Sequence, residues 1–140
     1  MLVKYSVFSL ITVIGLIACS PHKESIEQQE GVASCEPNMP CTFNKGIKVW
    51  LPDTDLTPET PFNINLSVAN NEKIISARLE GVTMYMGYIP VAFSSLGNIY
   101  QAQTMVGICS EKNMKWKLQL NLEDKHGNPQ TLSYYFIVTY

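Results

Sequence analysis

Residues 114–123 read MKWKLQLNLE, and this stretch decides the fold class. Met114, Trp116, Leu118, Leu120 and Leu122 alternate strictly with Lys115, Lys117, Gln119, Asn121 and Glu123. Side chains at i and i+2 share one face of a strand, so a period of two predicts a strand with one apolar and one polar face. A helix would scatter these residues around its axis. The same rhythm recurs outward in both directions. In PFNINLSVA, residues 61–69, Phe62, Ile64, Leu66 and Val68 alternate with Asn63, Asn65 and Ser67. In TLSYYFIVTY, residues 131–140, Leu132, Tyr134, Phe136 and Val138 form one face. Further strands are expected in IKVWL (47–51), KIISARLE (73–80), YIPVAF (88–93) and IYQAQTMV (99–106). Turn-forming stretches separate them: LPDTDLTPETP, NNE, SSLGN and DKHGNPQ. No long helical period interrupts the series. About seven short, one-sided strands predict an all-β, immunoglobulin-like antiparallel β-sandwich over residues 46–140. Pro90 cannot donate to a central ladder, which places its strand at an edge or a bend.

The amino-terminal end follows a different logic. MLVKYSVFSLITVIGLIACS carries Lys4 and then an apolar run too short for a membrane-spanning helix, which needs roughly 20 apolar residues. That is the layout of a secretory signal peptide. It ends in Leu16-Ile17-Ala18-Cys19, which resembles the lipobox of bacterial lipoproteins. The resemblance implies cleavage after Ala18, so that residues 1–18 are a signal peptide, and lipidation of Cys19 by palmitate-type acyl chains. The protein is then held on the periplasmic side of a membrane in the bacterial cell envelope. Ser20 after the cysteine, in place of Asp, favours the outer membrane over the inner. Residues 20–34, SPHKESIEQQEGVAS, are too polar to bury a core and are expected to act as a flexible spacer. The lipidated tether, with a short cysteine loop at its end, spans residues 19–45.

Charge and composition narrow the function. The formal net charge is -2, with ten Lys plus Arg spread along the chain, so no basic patch points to nucleic acid. No Ser/His/Asp order, carboxylate pair or phosphate loop is present, and the expectation is a protein that is not an enzyme. Asp53, Asp55, Glu59, Glu123 and Asp124 fall in or beside turns as solvated charges.

Four cysteines and six methionines carry the remaining signal. In an exported chain, CEPNMPC at 35–41 reads first as a Cys35–Cys41 disulfide, contributing about 2–2.5 kcal/mol by the chain-entropy estimate. The other reading is a metal-binding thiol pair with Met39 between. Cys109 is then left over as an inert buried thiol, as a metal ligand, or as a bridge to Cys35 or Cys41. Met84, Met86, Met105, Cys109 and Met114 fall close together in the chain. Thioethers and thiolates are soft donors that favour Cu(I) over hard ions, and zinc would call for clustered Cys and His. Met84 and Met86, read as neighbours on one strand face before Gly87, and Cys109 in the GICSEKN loop are the leading candidates. Met105 or Met114 would complete the set. Methionine also fills cores, and Met114 is in phase with Trp116 and Leu118.

The pattern Met84, Met86, Gly87, then Gly97, Tyr100, Ala102, then Met105, Gly107 and Trp116 resembles that of the small exported β-sandwich modules of the FixH and YtkA type. The resemblance spans roughly residues 47–140, with CSEKNMK lengthening the usual interval before Trp116. It implies a carrier, buffer or assembly factor for a copper site such as that of cytochrome oxidase, partnered with another copper-handling or envelope protein. The alternative is a metal-free interaction module of the cell envelope.

Overall fold

The computed structural model describes residues 35–69 and 72–140. The signal peptide, Cys19 and the spacer lie outside the described residues. The strands are β1 (Cys41–Thr42), β2 (Lys48–Trp50), β3 (Phe62–Ser67), β4 (Lys73–Gly81), β5 (Tyr88–Pro90), β6 (Ser94–Leu96), β7 (Ile99–Thr104), β8 (Asn113–Glu123) and β9 (Pro129–Thr139). A single 3-10 turn at Asn44–Gly46 joins β1 to β2. One sheet has the order β1-β2-β3-β7-β6 and the other β5-β4-β8-β9, with every pairing antiparallel. The chain changes sheet after β3, after β5 and after β7. That Greek-key order is the immunoglobulin-like sandwich expected from the alternation.

The stretch at 114–123 is its centre. β8 pairs with β9 in unbroken register from Asn113↔Thr139 to Glu123↔Pro129. Its apolar set, Met114, Trp116, Leu118, Leu120 and Leu122, is buried to the last residue, as are Leu132, Tyr134, Phe136 and Val138 of β9. Opposite them, Phe62, Ile64 and Leu66 of β3 and Ala102 of β7 close the core. The Phe62 ring meets Phe136 edge-on at 5.6 Å, so the two sheets interlock through aromatic side chains. Trp116, on the inward face of β8, is among the largest fully buried side chains of this core.

Two elements depart from the sequence expectation. SSLGN is a hairpin, not a plain turn: Leu96 pairs with Ile99 across a two-residue loop that begins with Gly97 at φ +61. A glycine at the first central position suits a tight hairpin whose twist matches its strands. The sandwich also begins before residue 46, because β1 adds to the edge of β2 and the Cys35–Cys41 bridge forms beside it. Within that bridged loop Asn38, at φ +64, acts as a substitute strand. Its side chain accepts from Ile137 N at 2.6 Å and donates to Ile137 O at 3.1 Å and Thr54 O at 2.9 Å. The outer edge of β9 is thereby covered at Tyr135 and Ile137, which interrupts a template for unwanted strand pairing. β5, with Pro90, is the opposite edge of that sheet, as its proline required.

Candidate functional site

The topology brings both sulfur-bearing segments to one pole of the sandwich. β4 ends there at Gly81 opposite Trp116, β7 ends there beyond Thr104, and β8 starts there at Asn113 beside Thr139. Two loops cover this pole: residues 82–87 between β4 and β5, and residues 105–112 between β7 and β8.

Met84 and Met86 sit in the first of these loops and not on a strand, so their expected side-by-side placement by strand alternation does not hold. The physical reason is Gly81. An added Cβ there would stand 2.2 Å from the Met84 carbonyl oxygen and 2.6 Å from the Met114 methyl. The absent side chain lets the chain leave the sheet and fold back across the end of the core. Backbone bonds then hold it: Val82 N donates to Lys115 O at 2.8 Å, and Thr83 Oγ1 accepts from Lys115 N at 3.0 Å. Met84 and Met86 are left 40% and 41% exposed.

The second loop carries Cys109, which is half-buried, free of any disulfide, and packed against the rim of the core. The Tyr140 hydroxyl donates to the Cys109 carbonyl, and Glu59 N donates to Val106 O at 2.8 Å. Each end of the loop is therefore tied down. The two loops meet at sulfur: the Cys109 thiol donates to Met84 Sδ at 3.6 Å. Among the described residues it donates to no other sulfur.

The remaining candidates divide. Met105 lies on the outward side of its strand direction, out of phase with Ala102 and Val106, and is 48% exposed at the same pole. Met114, in contrast, is 3% exposed. Its methyl fills the space left by Gly81, so the core-filling role that its phase with Trp116 suggested is the one observed. It offers no accessible thioether. Met39 is exposed within the disulfide loop, and the bridge rules out a Cys35/Cys41 thiol pair around it in this state. Exposed apolar side chains share the pole with polar ones such as Glu111 and Lys112. Val82, Tyr85, Ile108 and Tyr140 stand exposed around the sulfur pair, and Tyr85 is 81% exposed.

What the pole can do chemically follows from its donors. Among the described residues no three His, Cys, Asp or Glu gather as a hard or borderline metal site. The accessible donors are a thiol and three thioethers, a set suited to a soft monovalent ion. With metal–sulfur bonds of about 2.3 Å, as in zinc thiolates, two sulfurs 3.6 Å apart subtend about 100° at a common ion. One ion fits that pair without moving either loop far.

A second feature lies at the opposite pole. Glu72 is buried beside the β6–β7 hairpin, in a recess shared with Val68, Ser95 and Tyr100. Burial pushes its carboxyl above the ordinary value, against the lowering influence of Lys45. Sequence reading missed Glu72, because a single charged residue before a strand carries no signal of burial.

No protein-family model, curated protein or solved structure matches the chain.

Proposed function

We propose that this chain is a lipid-anchored periplasmic copper(I)-binding protein of the bacterial envelope, acting as a carrier, buffer or assembly factor for a copper site. The observation that carries the reading is the contact of Cys109 Sγ with Met84 Sδ across two loops from different parts of the chain. Two soft donors, drawn together and open to solvent, are a poor way to build a core and a direct way to hold Cu(I). Met86 and Met105 flank the pair as exposed thioethers and serve during ligand exchange, when copper passes to or from another copper-handling protein. Binding displaces the Cys109 proton to solvent and changes no oxidation state. The chain's own contribution is to fix the two loops, through Thr83 on Lys115 and Tyr140 on Cys109. The likeness of the Met-Gly and Trp pattern to FixH- and YtkA-type modules supports the same reading, and Cys19 supplies the anchor.

The test is a competition titration of reduced protein against a chromogenic Cu(I) chelator. Wild type is expected to withdraw copper from the chelator, and the triple variant Met84→Leu, Met86→Leu, Cys109→Ser to withdraw almost none. Equal affinity in the two proteins would refute the site.

A further inference from the structure

We infer that the copper site is completed by a second copy of this chain, so that Cu(I) bridges two sandwiches pole to pole. The inference rests on the copper reading above and adds to it the partner.

The first ground is the donor count. The Cys109 thiol hydrogen-bonds to Met84 Sδ and to no other sulfur among the described residues, Met114 is sealed in the core, and Met86 and Met105 are exposed thioethers not bonded to the pair. One chain thus presents a two-sulfur pair, where Cu(I) accepts up to four soft donors. A two-fold axis through the ion brings Cys109 and Met84 of each copy to the same metal, giving two thiolates and two thioethers. No loop has to be rebuilt, since the pair already sits at about the angle one ion demands.

The second ground is the surface around the pair. Val82, Tyr85, Met86, Met105, Ile108 and Tyr140 are large apolar side chains, all about half exposed or more, and all gathered at this one pole. An apolar patch ringed by polar residues marks a protein interface, and not a surface shaped for water. A two-fold interface must be self-complementary. Glu111 and Lys112 are adjacent and exposed on the Cys109 loop, so an antiparallel copy sets opposite charges against each other. An anionic membrane surface would find no basic cluster here to hold it.

Two protons leave the two thiols for solvent as one Cu(I) binds, and no electron is transferred. Copper is therefore the glue, and the dimer comes apart when copper is taken away.

Sedimentation equilibrium of the purified full chain, kept reduced, tests this with Cu(I) as the only addition. The expected result is a doubling of mass complete at half an equivalent of copper per chain, reversed by a Cu(I) chelator. Cys109→Ser should stay monomeric throughout. Tyr85→Asp alters a side chain with almost no packing to lose. It opposes two like charges across the axis, and should remain monomeric while binding copper at least about tenfold more weakly. A wild-type monomer holding one equivalent would overturn the bridged dimer and leave the single-chain copper site standing. A dimer of the reduced chain that forms without copper and persists in the Cu(I) chelator would overturn it as well, assigning the association to the apolar surface alone. Wild type that binds no copper removes both readings together.

Discussion

Replacing Gly81 with alanine tests whether this one missing side chain builds the sulfur pole. Gly81 is not in the left-handed region, so alanine meets no backbone objection. The obstacle is space. Its Cβ would stand 2.6 Å from the Met114 methyl and 2.2 Å from the Met84 carbonyl oxygen, whereas non-bonded atoms settle at about 3.5–4.0 Å. The methyl is the tip of a flexible chain, yet it is enclosed by core and has little room to retreat. The carbonyl belongs to a backbone tied to β8 through Val82 and Thr83. Overpacking of this kind costs about 1–3 kcal/mol, and release of the two ties adds about 1 kcal/mol each. A loss of about 3–5 kcal/mol is expected in urea unfolding followed by tryptophan fluorescence. On the proposed copper reading, affinity for Cu(I) should fall in step, because the displaced loop carries Met84 away from Cys109. Gly87→Ala is the control. That glycine sits at φ +75 with open space around it, so only the left-handed penalty of about 1–2 kcal/mol applies. Gly81→Ala within 0.5 kcal/mol of wild type, or no worse than Gly87→Ala, would refute the account.

Three other substitutions probe the frame around the site. Asn38→Ala should cost about 2–3 kcal/mol in denaturant unfolding, from three lost bonds and a strained left-handed alanine, while Asn38→Gly should recover about 1 kcal/mol of that. Among the described residues the buried Tyr134 hydroxyl has no hydrogen-bond partner, and burial pushes it up to about 12. A raised folded value means that the contribution is whole below pH 10 and is lost as pH climbs toward 12. Tyr134→Phe should therefore match or exceed wild-type stability at pH 7, and should flatten the alkaline decline measured by pH-dependent melting. Asp124 caps the β8–β9 turn, and hydrogen bonds from Asn128 and His126 hold its carboxyl well below the usual carboxylate range. Its stabilising effect is complete above pH 3.8 and disappears only as acid protonates the folded form, so a carboxyl titration by NMR with a midpoint at or above 3.8 would contradict the turn geometry.

The frame was legible in the sequence because alternation is a local signal with a long-range consequence. Five apolar positions of MKWKLQLNLE and four of TLSYYFIVTY are buried as their phase required, and Pro90 marks a sheet edge. β6 was obscured because Ser94-Ser95-Leu96 is exposed on both faces and has no apolar rhythm to read. β1 is two residues long, and its pairing with β2 is visible only once the Cys35–Cys41 loop is closed. For the candidate site, composition singled out the sulfur residues, but strand alternation assigned the wrong geometry to Met84 and Met86, and Met114 lies in the core. Alternation assumes that a strand continues. Nothing in the residue types of TMYMG says that the strand has already ended at Gly81, because the crowding there, from the Met84 carbonyl and the Met114 methyl, exists only once the loop has folded back over the sheet.

That contact also explains why the pole is divided between a sealed sulfur and an exposed pair. Within β8 the sheet imposes phase, so Met114 must point inward with Trp116 whatever its chemistry. Beyond Gly81 and Thr104 no ladder imposes phase, and side chains point where their loops carry them. A binding group placed on the strands would be committed to core or to solvent by its position alone. On the loops it can be half-buried, fixed by a few hydrogen bonds, and still exchange its partner. Cys109 and Met84 occupy that middle condition: each loop is pinned to β8 or to the terminal Tyr140, yet among the described residues the thiol donates to no sulfur but Met84 Sδ. The buried Met114 methyl is then part of the same arrangement, since it and the Met84 carbonyl together occupy the space that a side chain at Gly81 would need.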